Sequence, residues 1–160
     1  MNIYAKKKQS FIIDYLMTSS QDNVDALFAA ASKAQLPVVR AWMYNSGTDS
    51  VWFQQWDADA KAMKINDDAE TGLGRMDYVL QQAAKNNVKL ILTLTNNWKD
   101  YGGMDYYVES FGGKYHDDFY TNDEIVGSFK AYIEHVTNRT NELTGTKYSV
   151  CKDILNLDKE

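Results

Sequence analysis

The chain has 160 residues, 44% of them hydrophobic and 13% aromatic, which excludes a disordered polymer and leaves enough apolar mass for a core. A net charge of −5, with no basic stripe among the aromatics, argues against a nucleic-acid partner, and no run approaches the roughly 20 apolar residues of a membrane span. The 11 Tyr and 4 Trp favour surfaces that are apolar and wet together, a property that sugar clefts share with protein interfaces.

Lys6-Lys7-Lys8 reads as a solvated end. The apolar stretch after it, Phe11-Ile12-Ile13, is interrupted by Asp14 and lacks a small-residue cleavage site, so no signal peptide is expected in this chain. Residues 11–16 read as a first strand, and Thr18-Ser19-Ser20-Gln21-Asp22 supplies turn and capping chemistry for a helix over residues 23–35. Val24, Leu27, Phe28, Ala31 and Ala34 recur there at helical spacing. Pro37 blocks continuation and opens a second strand, Val38-Val39-Arg40-Ala41-Trp42.

Residues 44–74 show little periodicity but carry Gly47, Trp52, Phe53, Trp56 and the pair Asp67-Asp68. They read as a long aromatic connection that walls a cleft. Met76, Val79, Leu80, Ala83 and Ala84 mark a second amphipathic helix ending near Asn86-Asn87, residues at ease in a left-handed cap. A third strand over residues 88–95 follows at once. Further on, Thr121-Asn122-Asp123-Glu124 can cap a third helix, with Ile125, Phe129, Tyr132, Ile133 and Val136 on its buried stripe, running to about Leu143. This alternation predicts one α/β domain with a parallel sheet, and period alone leaves barrel and doubly wound sheet both open.

Asn96-Asn97-Trp98-Lys99-Asp100-Tyr101-Gly102-Gly103-Met104 lies directly after the third strand, where parallel α/β folds gather ligand groups. An indole flanked by amides suits a sugar ring, whose apolar face stacks while the amides satisfy its hydroxyls. The same nine residues also fit a glycine turn around a core tryptophan. This loop, with Tyr107-Val108, Phe111-Gly112-Gly113, His116-Asp117-Asp118-Phe119-Tyr120-Thr121, residues 132–144 and the upstream Val38-Val39-Arg40-Ala41-Trp42, resembles the endo-β-1,4-mannanases of glycoside hydrolase family 5. The resemblance runs from about Asp14 to Tyr148.

The resemblance implies a (β/α)8 barrel, a retaining mechanism with two glutamates, β-mannan substrates and an extracellular setting. A full barrel typically needs about 250 residues, so this chain is expected to form one incomplete domain, about the first three βα units. The family's acid/base strand, ending in Asn-Glu-Pro, and its later nucleophile strand have no counterpart after residue 148. Residues 149–160 read as a divergent tail, with 150–157 available as a substitute strand or helix. The sheet is therefore expected to end in an open edge at strand three or its substitute, inviting self-association. Activity of this chain alone is not expected, and the rival reading is a non-catalytic carbohydrate-binding remnant or a half-barrel that pairs with another chain.

Arg40, Trp42, Asn97 and Trp98 are the candidate substrate-side residues; no catalytic residue, metal ligand or cofactor is expected. In the family the arginine matching Arg40 supports the nucleophilic glutamate, so Arg40 is expected to lack that partner here, the other reading being a solvent-reaching arginine with a structural partner such as Asp14 or a loop acid. The resemblance makes Trp42 and Trp98 substrate contacts, and Asn97 reads as a hydrogen-bonding partner for a sugar hydroxyl. Tyr101, Tyr106 and Tyr107 fit loop packing as well as ligand contact. Asp117 and Asp118 read as structural, because adjacent acids on one loop seldom flank a glycosidic bond. His135 is expected to face solvent or pair with Glu134 or Arg139. Cys151 is the only cysteine, so no internal disulfide forms, and Asn138-Arg139-Thr140 is a glycosylation sequon.

Overall fold

The computed structural model describes residues 16, 20–46 and 50–158. The expected first strand lies outside the described residues but for Leu16, whose backbone is helical and whose side chain is buried. Helix α1 is Gln21–Lys33, two residues earlier than its periodicity suggests. Its buried face is Val24, Phe28 and Ala31, and the backbone leaves the helix through Gln35 at φ 55°. Strand β1 is Val38–Trp42, beginning directly after Pro37.

The connection from residue 44 to 74 holds structure that its weak periodicity hides. Strands β2, Gln54–Asp57, and β3, Ala62–Ile65, form an antiparallel hairpin with Trp56 opposite Met63. The Asp57 carboxylate accepts from the backbone N–H groups of Asp59 and Ala60 at 3.0 and 2.9 Å, closing the turn, and Lys61 takes the left-handed conformation at φ 49°. Helix α2, Gly74–Lys85, buries Met76, Val79, Leu80 and Ala83, and Asn87 exits at φ 55° as its side chain permits.

Strand β4, Lys89–Thr93, pairs parallel with β1, setting Arg40 against Ile91 and Trp42 against Thr93. Two short helices then occupy the loop, α3 over Met104–Ser110 and α4 over Asp118–Thr121. Helix α5, Asp123–Asn138, is capped by Asn122, whose side chain accepts from the backbone of Glu124 and Ile125. It stops five residues before the expected Leu143, because Arg139 turns to extended backbone (ψ 136°) and reaches inward.

The tail supplies strand β5, Ile154–Asp158, parallel to β4 with a register shift after Leu90. The sheet order is β1-β4-β5, so strand three of the sequence reading is central, and the substitute strand from the tail takes the outer position among the described residues. Lys89 Nζ meets Asp153 Oδ1 at 2.5 Å and anchors the approach to β5. Ala41, Leu90, Leu92 and Leu94 join the buried faces of α1, α2 and α5 in the main core. A second cluster of Met104, Tyr107, Val108, Phe119 and Ile125 fills the space beneath the loop helices.

Asp77 is the polar hub of this half of the molecule and is 2% exposed. Arg139 donates to it from Nη2 at 2.7 Å, Tyr148 donates its hydroxyl at 2.6 Å, and Arg139 Nη1 meets Asp67 at 2.7 Å. Burial works against the Arg139 charge, but the hydrogen bonds and charge of Asp77 outweigh it and raise its pKa. Burial, then the Asp77 charge, also raises the Tyr148 phenol and keeps it a donor. His135 shares this network: its Nε2 lies 2.8 Å from Asp67 rather than on Glu134 or Arg139.

Candidate functional site

The carboxyl ends of β1 and β4 open into a cleft of about 400 Å³ lined by Arg40, Trp42, Tyr44, Thr93, Thr95 and the loop from Asn96 to Tyr101. All four candidate residues meet there. Alternation along β1 puts Arg40 and Trp42 on the face opposite Ala41, and the pairing with β4 leaves both half-buried. Arg40 is not without a partner, contrary to the expectation that the missing strand leaves it bare. A guanidinium at that depth requires one, whatever its functional role.

The loop owes its shape to Asn96. Its Oδ1 accepts the backbone N–H of Trp98 at 2.7 Å, and its Nδ2 donates to the Asp100 carbonyl at 2.9 Å and the Tyr44 hydroxyl at 3.1 Å. Gly103 is forced by this packing: a Cβ there would lie 1.9 Å from Asn96 Oδ1 and 2.1 Å from the Trp98 carbonyl oxygen. Gly102 turns at φ 83° against Ser46, whose backbone N–H donates to the Tyr101 carbonyl at 2.9 Å.

The aromatics divide into two kinds. Trp42 stacks on Tyr44, ring centroids 5.1 Å apart at 29°, and meets Tyr101 at 5.2 Å. These three rings form a braced wall. Trp98 is 66% exposed, which removes the core-tryptophan reading of this loop. Tyr106 and Tyr107 turn away to the hairpin: the Tyr106 hydroxyl accepts the backbone N–H of Trp56 at 3.0 Å, and the Tyr107 hydroxyl donates to Gln54 Oε1. They pack the loop, as the glycine-bracketed spacing allows.

Asn97 is exposed at the rim, with Oδ1 3.1 Å from His116 Nε2. The loop helices carry the remaining acids elsewhere. Asp118 accepts the backbone N–H groups of Lys114 and Tyr115 at 2.7 and 3.0 Å, and these bonds, Tyr115 first, lower its pKa. It serves the turn, as read from the sequence. Among the described cleft residues Asp100 is the only acid, and among the described residues no three His, Cys, Asp or Glu converge as metal ligands. The spacing of residues 96–104 pointed to the cleft, but Tyr44, Thr93 and Thr95 carried no motif that would have marked them.

No family model matches the chain. Probable mannan endo-1,4-beta-mannosidase A-1 of Aspergillus terreus is 37% identical over 141 residues, covering 85% of this chain and 35% of that protein. The endo-1,4-beta-mannanase of Rhizomucor miehei superposes with a TM-score of 0.88 at 60% identity, covering 90% of this chain and 40% of that one. The endo-beta-1,4-mannanase of Thermotoga petrophila gives 0.78 at 28% identity, covering 88% and 31%. The chain spans about a third of the length of the curated relatives it matches. It is thus a homologue of the mannan endo-1,4-β-mannosidases of glycoside hydrolase family 5, matching one segment of their fold.

Proposed function

We propose that this chain carries the β-mannan-binding face of a mannan endo-1,4-β-mannosidase, with its sheet forming one sector of a (β/α)8 barrel. The support is the convergence of Arg40, Trp42, Asn97 and Trp98 in one cleft at the strand ends. Trp42, braced by Tyr44, and the outward Trp98 offer apolar faces to mannose rings, Asn97 offers an amide to a hydroxyl, and Arg40 is a permanent cation beneath them. The parallel β1-β4-β5 order is that of consecutive barrel strands, and β5, an outer strand among the described residues, calls for cover by further polypeptide, a second copy included. A polysaccharide does not cross membranes, so this reading puts the site of action outside the cell.

Hydrolysis with retention needs two carboxyl groups about 5 to 5.5 Å apart, one to protonate the leaving oxygen and one to form the glycosyl intermediate. The described cleft holds a single acid, Asp100, whose loop points to shape rather than chemistry. The 160-residue chain is therefore expected to bind manno-oligosaccharides without turnover. Release of reducing ends from β-mannan by the purified chain tests this: none is expected, and turnover that survives repurification contradicts it.

A further inference from the structure

The rim amide of Asn97 is held from behind by a relay that crosses two segments. Asp105, in the first turn of α3, places Oδ1 2.6 Å from His116 Nδ1, and His116 Nε2 lies 3.1 Å from Asn97 Oδ1. Each ring nitrogen thus has one side-chain partner, Asp105 on one side and Asn97 on the other. The His116 and Asp105 side chains are 35% and 38% exposed, so the contact itself adds little to stability. Its consequence is geometric. One end of the Asn97 amide is committed to His116, the other is turned away from the ring, and Asn97 belongs to the cleft lining.

We propose that His116 and Asp105 are positioning residues that fix the plane of the Asn97 amide at the cleft rim, one end held by His116 and the other left to the sugar. The proposal rests on the mannan-binding reading of the cleft and adds what holds its rim in place. Asn97 would then bond a hydroxyl of the bound mannose unit at no rotational cost on binding. Neither His116 nor Asp105 lines the cleft, so both act through Asn97 alone. Asn96, by contrast, has both amide ends committed within the protein and is unavailable to a ligand.

The test separates the two ring nitrogens. His116→Gln keeps a hydrogen-bonding group near the Nε2 position, and His116→Asn keeps one near Nδ1. Affinity for mannotetraose is measured by calorimetry for the full chain, alongside His116→Ala, Asn97→Ala and the double variant. Positioning predicts that His116→Ala and His116→Asn each weaken binding about fivefold, the worth of one hydrogen bond, while His116→Gln restores it. It also predicts that His116→Ala adds nothing in the Asn97→Ala background. Losses that add in the double variant, or rescue by His116→Asn instead of His116→Gln, overturn the proposal and make the histidine a loop tether.

Failure of the mannan-binding reading is read separately, as absence of binding by the unaltered chain. In that event the ligand-free protein still decides the relay. The Asn97 side-chain amide resonances are expected to move in His116→Asn and stay in place in His116→Gln, and the reverse pattern refutes the proposal.

Discussion

The Asp77 hub and the Asn96 loop are both dense in polar groups, yet they spend them differently. At the hub the central ion pair is buried: Asp77 and Arg139 side chains are 3% and 7% exposed, and Tyr148 and Asn141 complete the shell. In the loop, Asn96 satisfies the backbone so that its neighbours Asn97 and Trp98 do not have to. The hub ties α2, α5 and the segment leading to β5 into one body. The loop holds aromatic and amide groups out at the cleft. Saturated polar networks mark scaffold, whereas groups freed by a saturated neighbour mark a surface ready for a ligand.

The sharpest break in that comparison is Arg139→Met, which leaves the Asp77 carboxylate buried without its cation. Chemical denaturation should show a loss of about 3 to 5 kcal/mol, with oligosaccharide affinity of the folded fraction unchanged. Next, Gly103→Ala drives a Cβ into Asn96 and the Trp98 carbonyl, so the loop must move. The expected cost is about 1 to 3 kcal/mol of stability, and here binding falls too. A variant that loses stability but keeps full affinity would separate loop shape from binding.

Trp98→Ala should do the opposite of Arg139→Met. An exposed ring supports little of the fold, so stability stays within about 0.5 kcal/mol, while loss of one stacked ring weakens mannotetraose binding about fivefold or more. The smallest effect belongs to Asp118. Its folded pKa is lowered by the Tyr115 and Lys114 N–H groups, so its contribution is present above the ordinary carboxylate range and is lost as pH falls through the lowered value. The stability difference between the unaltered chain and Asp118→Asn should accordingly shrink on acidification, which thermal melts at a series of pH values would read.

Strand β1 and the N-terminal end of α5 were legible because their signals are local: Pro37 ahead of an apolar run, and Asn122 with acids behind it. The β2-β3 hairpin was not, since Gln54 and Gln55 blur its alternation and the pairing lies between segments. The true end of α5 is set by Arg139 reaching Asp77, 62 positions away, a contact no window of sequence contains. The tail left strand and helix open because its pairing with β4 is equally nonlocal. At the site, strand ends and loop composition singled out the positions of Trp42, Asn97 and Trp98, which meet in one cleft, while the substrate role came from the resemblance. Tyr44, which braces Trp42 and accepts from Asn96, needed three dimensions.

The most direct test of the account is calorimetric titration of the folded chain with mannotetraose, run in parallel on Trp98→Ala and Arg139→Met. Saturable binding that Trp98→Ala weakens and folded Arg139→Met retains would establish the strand-end cleft as the mannan site. Absence of binding by the unaltered chain, or binding indifferent to Trp98, would contradict it.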